Sequence, residues 1–335
     1  MSILITGVAG FIGYHLARRL CRDGQTVLGV DNINDYYDPR LKEDRLSLLS
    51  EFSTFRFMQA DIADRASMER LFANNRFDIV VNLAAQPGVR YSLKHPETHI
   101  DSNVVGFANI LEGCRHSRAG HLVYASSSSV YGLNTAMPYS VASPTSHPAS
   151  LYAATKRANE LMAHAYSHVF GIPTTGLRFF TVYGPWGRPD MAYFLFTRAI
   201  IREEPITVYN QGRSRRDFTY IDDVVETIAR VVHSPPGSDP AWLGDAPDPS
   251  SSSAPYRLYN IGSGRPVDLM SFISLIERQV GRNAKTVFLP LEPGDVPVTW
   301  AETVDFEKAA GLVPATPLET GITAFVEWYR AYYGE

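Results

Sequence analysis

The chain has 335 residues, 45% of them hydrophobic and 20% charged, with a formal net charge of −4. That composition describes a globular core, sized for two domains or for one large α/β domain with an appended lobe, and no basic field points to nucleic acid or a membrane surface. No apolar run approaches the roughly 20 residues that span a bilayer; Cys21 and Cys114 sit in apolar helical patterns as buried reduced thiols, and Ile3 opens a strand with no charged leader, so a cytoplasmic chain is expected.

Ile3 to Thr6 reads as a short buried strand. Gly7-Val-Ala-Gly10-Phe11-Ile12-Gly13 follows, then a helix from Tyr14 to Asp23 closed by Gly24. Strand, glycine turn and helix in this order form a phosphate-binding unit. Gly7 and Gly10 let the backbone approach a pyrophosphate, Gly13 lets the helix pack close to the sheet, and the helix N-terminus faces the anion. Thr26 to Val30 is the second strand and ends at Asp31-Asn32. An acidic residue there suits ribose hydroxyls and repels a 2′-phosphate, which favours NAD over NADP. The polar, aromatic loop 33–39 is placed to close on the adenosine side.

Helix is expected over 40–50, strand from Phe55 ending at Asp61-Ile62, helix over 65–74, and a mostly apolar strand from Phe77 to Leu83 ending at Ala84-Ala85-Gln86. Four such units predict a parallel sheet wound on both faces, with ligands at the carboxyl ends of its strands. Gly88 to Ser92 is a polar loop beside that crevice. Asn103 to Cys114 is helical, with Asn103 placed to order water or backbone near the reacting groups. The next strand, His121 to Ala125, runs into Ser126-Ser127-Ser128-Ser129, which therefore faces the same crevice. Tyr152 and Lys156 are four apart at the head of a helix and share one face. An ammonium held near a phenol favours the phenolate, so this pair is expected to serve general acid–base chemistry, with a serine hydroxyl on the same reacting oxygen.

Ile172 to Phe180 is the sixth strand. From Thr181 to Met191 the glycine- and proline-rich composition looks too irregular for a regular element, and Arg188 there is suited to grip a carboxylate or phosphate. Helix over 191–203 and strand over 206–209 follow. Arg213, Arg215 and Arg216 read as pyrophosphate clamps, and Asp222 and Asp223 as caps of the helix through Arg230. Residues 234–256 read as a mobile surface insertion. Strand resumes at Tyr259 and helix over 269–280, the loop 293–296 is placed to meet a nucleotide, and the aromatic tail from Phe325 packs on the second lobe. No metal-ligand spacing stands out.

These motifs resemble the extended short-chain dehydrogenase/reductase family over essentially the full length. Within it the chain looks most like the UDP-glucuronate 4-epimerases, on residues 31–38, 84–91, 126–132 and the long stretch Leu177 to Met191. Glu292 departs from the pattern, since relatives more often carry a neutral or basic residue there. The fold implied is a Rossmann-type doubly wound parallel sheet over residues 1–180, with segments 217–232 and 257–263 returning to it, and a smaller α/β substrate lobe in 181–335. The activity implied is C4 epimerisation of UDP-glucuronate and UDP-galacturonate through a 4-keto intermediate on bound NAD. Tyr152 is the implied base, Lys156 its partner, and Ser127 and Ser128 the hydroxyls near the sugar O4. The implied NAD contacts are Gly7, Gly10, Phe11, Ile12, Gly13, Asp31, Asn32, Asn34, Asp61, Ile62, Leu83, Ala84, Ala85, Asn103, Ser126, Tyr152, Lys156 and Phe179. The implied UDP-sugar contacts are Gln86, Arg90, Ser127, Ser128, Ser129, Tyr152, Thr181, Arg188, Val208, Tyr209, Arg216 and Asp295, with Thr181 and Arg188 at the carboxylate. Related dehydratases and decarboxylating synthases carry an acidic residue just before Val130-Tyr131. Ser129 stands there instead, which leaves the 4-keto sugar no obvious route but hydride return. A UDP-glucose/UDP-galactose 4-epimerase is the alternative, and a homodimer built on two helices per subunit is the implied assembly.

Overall fold

Ile3 and Ile5 enter one hydrophobic core and Leu4 enters another, so the first strand has to be covered on both faces. A computed structural model describes residues 1–292 and 294–335 and shows how that is met. Strand and helix alternate through β1 (Ser2–Thr6), α1 (Phe11–Arg22), β2 (Thr26–Asp31), α2 (Arg40–Ser50), β3 (Phe55–Gln59), α3 (Arg65–Asn74) and β4 (Ile79–Asn82). Two short helices, α4 (Val89–Lys94) and α5 (Pro96–His99), and a π turn over Ile100–Val105 lead into α6 (Gly106–Ser117). Then come β5 (His121–Ser127), α7 (Leu151–Phe170) and β6 (Thr174–Phe179).

The second half contains β7 (Thr181–Tyr183), α8 (Ala192–Ile201), β8 (Pro205–Val208), β9 (Arg215–Tyr220), α9 (Ile221–Val232) and β10 (Tyr256–Ile261). It closes with β11 (Pro266–Asp268), α10 (Leu269–Val280), β12 (Lys285–Phe288), α11 (Val304–Ala310) and α12 (Leu318–Tyr333). Seven strands form one sheet in the order β10-β6-β5-β4-β1-β2-β3, all pairs parallel. The expected doubly wound sheet is therefore present. Its order reverses beside β1, which opens a crevice at the carboxyl ends of β1 and β4.

One core, with Tyr14, Leu16 and Leu20 of α1 against Val224, Ile228 and Val232 of α9, covers one face. The other, with Leu71 of α3, Phe107 and Ile110 of α6 and Ala163 of α7, covers the opposite face. A third core belongs to the second lobe, where Phe194, Phe218, Phe272, Phe325 and Tyr329 meet. The tail helix α12 packs there, as its aromatic spacing predicts.

Three local expectations need correction. Thr181–Tyr183 is a strand despite its composition, because β9 pairs with it in parallel. Asp222 and Asp223 do not cap α9, whose N-cap is Tyr220 with no side-chain bond; Asp223 instead accepts from the backbone and hydroxyl of Thr316. The stretch 234–256 is not loose throughout. Ser250, Ser251 and Ser252 are buried, Ser252 Oγ meets His164 at 2.9 Å, and Leu258 N–H donates to the Ser250 carbonyl. Among the described residues no helix is long and apolar enough to cross a membrane.

Candidate active site

The turn after β1 leaves no room for side chains at its glycines. Gly7 has φ +70°, and a Cβ on it would stand 2.6 Å from the Ala84 amide; one on Gly13 would stand 2.2 Å from the Gly7 carbonyl. Glycine is the residue that tolerates both the left-handed backbone and the contact. No side chain caps α1, so its first N–H groups stay open towards the crevice. Asp31 ends β2, with Oδ2 accepting from Ala9 N–H at 3.1 Å and Oδ1 from Ile33 N–H at 2.9 Å. Asn32 donates to Asp61 at 2.9 Å. Phe11, Ile12, Asn34, Ile62, Leu83, Ala84, Ala85 and Phe179 complete one continuous wall with them. A glycine turn packed too closely for any Cβ at Gly7 or Gly13, an open helix N-terminus and an acidic strand end fit a dinucleotide with free ribose hydroxyls.

The chemical end of the cleft lies where β5 stops. Ser127 Oγ caps the short turn 128–131, accepting from Ser129 N–H at 3.2 Å and donating to Ser129 Oγ at 3.2 Å. Ser150 caps α7 through Ala153 N–H at 3.2 Å and so sets Tyr152 in its first turn. Ser127, Ser128, Ser129, Tyr152 and Lys156 all line the cleft. Burial pushes the Tyr152 phenol above its ordinary range, while the Ser127 hydroxyl and the Arg188 charge pull it back. Sequence reasoning places the Lys156 charge on that phenol. In the structure Lys156 Nζ donates to the Ala125 carbonyl at 2.9 Å, and burial pushes its pKa down to about 8. In this arrangement the ammonium is held on a backbone carbonyl, and the groups that draw the phenol back are Ser127 and Arg188.

Across the cleft stand Thr181, Arg188, Tyr209, Arg216 and Asp295 from the second lobe and Arg90 from α4. Arg188 lies in a fork with Asp190, Nε to Oδ1 at 3.0 Å and Nη2 to Oδ2 at 2.6 Å. Arg90 bonds Asp295 at 2.6 Å and lies 4.0 Å over the Tyr209 ring, and all three line the cleft. Of the three arginines read as clamps only Arg216 lines the cleft; Arg213 and Arg215 are exposed. Of the loop 293–296, residues 294–296 line the cleft and Pro293 lies outside the described residues.

Three expected contacts stand back from the wall. Val208 is fully buried in the third core, that of the second lobe. Gln86 and Asn103 are buried and tied to each other: Asn103 Oδ1 accepts from Gln86 N–H at 2.8 Å, and Asn103 Nδ2 donates to the Gln86 carbonyl and to Thr155 Oγ1. Asn103 orders backbone behind the tyrosine. Ser126 lines the cleft, yet its hydroxyl turns to Glu160 at 2.6 Å.

Several residues that shape the site escape sequence reasoning. Lys42 lines the cleft, with Nζ on both the carbonyl and the side-chain oxygen of Asn34 at 2.7 Å. Arg45 is fully buried and ties the Ala9 carbonyl of the glycine turn to the Trp186 carbonyl of the Arg188 loop. Its signal is a cation on the inward face of α2. Asp190 and Tyr36 meet at 3.1 Å, and Asp190 is marked only by lying two places after Arg188.

Residues 3–243 match the model of the NAD dependent epimerase/dehydratase family. Protein CapI of Staphylococcus aureus is 53% identical over 333 residues, 99% of each chain. UDP-glucuronate 4-epimerase 1 of Arabidopsis thaliana is 45% identical over 340 residues, 100% of this chain and 78% of that one. The crystal structure of UDP-glucuronic acid 4-epimerase from Bacillus cereus, in complex with UDP-glucuronic acid and NAD, superposes with a TM-score of 0.88 at 31% identity, covering 99% of this chain and all of that one. The chain belongs to the NAD dependent epimerase/dehydratase family.

Proposed function

We propose that this family member interconverts UDP-glucuronate and UDP-galacturonate by epimerisation at C4. The observation that carries the reading is Arg188, a cation in the same cleft as Tyr152 and close enough for its charge to act on the phenol. A sugar set with C4 at Tyr152 and C6 towards Arg188 brings a carboxylate to the guanidinium, whose planar donors match it. NAD, held by the glycine turn, Asp31 and Asn32, would supply the hydride acceptor and donor at C4. Tyr152 takes the C4 hydroxyl proton, with the Ser127 hydroxyl on the same oxygen. The flat 4-keto sugar turns about its bond to the diphosphate, and Tyr152 returns the proton on the other face. In this reading Arg216 meets the diphosphate, with Arg90 and Asp295 lining the cleft beside it.

A cytoplasmic homodimer completes the reading. The two cysteines are free and buried, and burial pushes both thiols up, away from the reactive thiolate.

The test is product analysis by NMR. Purified protein given UDP-glucuronate should form UDP-galacturonate without added cofactor, and Tyr152→Phe should lose nearly all turnover. UDP-pentose as main product, or faster turnover of UDP-glucose than of UDP-glucuronate, overturns the reading.

A further inference from the structure

Arg188 reaches the cleft with one edge of its guanidinium already engaged. Nε and Nη2 form the side-on edge, and both donate to Asp190, at 3.0 and 2.6 Å. A guanidinium carries five N–H groups in a rigid plane. Two are used here, which leaves Nη1 and the second Nη2 hydrogen as an end-on pair. Asp190 is itself braced: Tyr36 Oη donates to its Oδ2 at 3.1 Å, and the Tyr36 ring rests edge-on against Tyr91 with centroids 4.9 Å apart. The backbone N–H of Arg188 is fixed by Tyr193 Oη at 3.2 Å. Tyr36, Arg188 and Asp190 all line the cleft that holds Tyr152. Burial acts against both ionised forms of the pair, and the mutual attraction outweighs it, raising the arginine and lowering the aspartate.

We propose that Asp190, braced by Tyr36, is a positioning residue for substrate selection: it holds the side-on edge of Arg188 so that the end-on pair alone meets the carboxylate of a uronic acid sugar nucleotide. The proposal rests on the reading of Arg188 as the carboxylate contact. Asp190 balances the arginine charge, so recognition comes from two directed hydrogen bonds rather than from a net positive field. A neutral hexose offers a single C6 hydroxyl to that pair and leaves one donor unmatched, a poorer fit in a partly desolvated site.

Holding the carboxylate in one plane also bears on the product. A 4-keto uronic acid loses CO2 when its C5–C6 bond stands perpendicular to the plane of the ketone and so overlaps its π system. That bond then breaks, CO2 leaves, and the electron pair enters the ketone as an enolate that takes up one proton at C5. An arginine free to rotate lets the carboxylate reach that alignment; an arginine pinned by Asp190 does not. Asp190→Asn places an amide where the fork needs an acceptor, so it loosens Arg188 while keeping its charge.

The experiment compares wild type, Asp190→Asn and Tyr36→Phe, each with UDP-glucuronate, by NMR product partition and by kcat and KM. The pentose share of product should rise about tenfold in Asp190→Asn, with kcat falling about tenfold, the scale set by a misplaced reacting group. KM should stay within about twofold, because both end-on donors that meet the carboxylate remain on Arg188. Tyr36→Phe should move the partition the same way by less, and it serves alone if Asp190→Asn does not fold. A folded variant that is merely disturbed slows turnover and leaves the partition alone. An active wild type with an unchanged partition in the folded variants overturns this proposal only. A wild type inert towards UDP-glucuronate overturns it together with the reading beneath it.

Discussion

At the scale of single residues, Lys156 carries the clearest electrostatic consequence. It is 2% exposed, bonds a carbonyl rather than a carboxylate, and its pKa is pushed from 10.5 down to about 8 by burial. Below pH 8 the folded chain holds a buried ammonium that the unfolded chain keeps in water. A shift of this size corresponds to a penalty of about 3 kcal/mol. As pH rises from about 8 to 10.5 the folded form sheds the proton while the unfolded form keeps it, so stability climbs across that window. Lys156→Met has no such proton to shed. Urea unfolding of the nucleotide-free proteins at pH 7 and pH 10 should therefore show the wild type gaining on the variant by up to about 3 kcal/mol. A gap that stays constant with pH would mean that water or a counter-charge reaches the ammonium.

At the scale of elements, the reacting groups are held by a buried polar joint between α7, β5 and β6. Glu160 of α7 accepts from Arg178 of β6 at 2.8 and 3.0 Å and from Ser126 of β5 at 2.6 Å. Arg178 reaches on to Tyr131 Oη at 3.1 Å and the Val141 carbonyl at 3.2 Å. Both charged side chains are fully buried. Removing one partner strands the other without water, so Glu160→Ala should cost about 3–5 kcal/mol. Replacing both with Ala should cost clearly less than Glu160→Ala and Arg178→Ala added together. A double-mutant cycle in urea checks this, and additive losses would contradict a coupled pair. This joint also shows where sequence reasoning stops. The helices at 40–50, 65–74 and 269–280 are readable residue for residue because their periodicity is local. The glycine turn is readable because its constraint is local as well. Glu160 and Arg178 lie 18 residues apart, and Arg90 and Asp295 lie 205 apart. Thr181–Tyr183 becomes a strand only because Phe218 to Tyr220 arrives beside it. Such pairings are made by the fold, so residue type alone marks a charge as interior without naming its partner.

At the scale of the whole molecule, α7 has one face committed inwards and one left open. Ala153, Lys156, Asn159, Glu160, Ala163 and Ser167 are buried. Leu161, Ala165 and Val169 recur every four residues on the outer side, with Leu161 56% and Val169 66% exposed. Phe170 continues the stripe with Arg115 4.1 Å over its ring, and Ile100 and Val105, leading into the neighbouring α6, are exposed too. Exposed apolar side chains on one helix and on the turn that leads into its neighbour are the kind of surface a second copy covers across a two-fold axis. Each large side chain so covered contributes about 1.5–3 kcal/mol. We therefore expect the wild type to have twice the chain mass by light scattering at micromolar concentration. Leu161→Asp combined with Val169→Asp would place four carboxylates in the joint interface of two copies, and burying them unpaired is prohibitive. The doubly substituted chain should run as a monomer with an unchanged circular dichroism spectrum, because both positions are exposed in the single chain and leave its own core intact. A wild type that is already monomeric, or a substituted chain that keeps the dimer mass, would place the partner surface elsewhere.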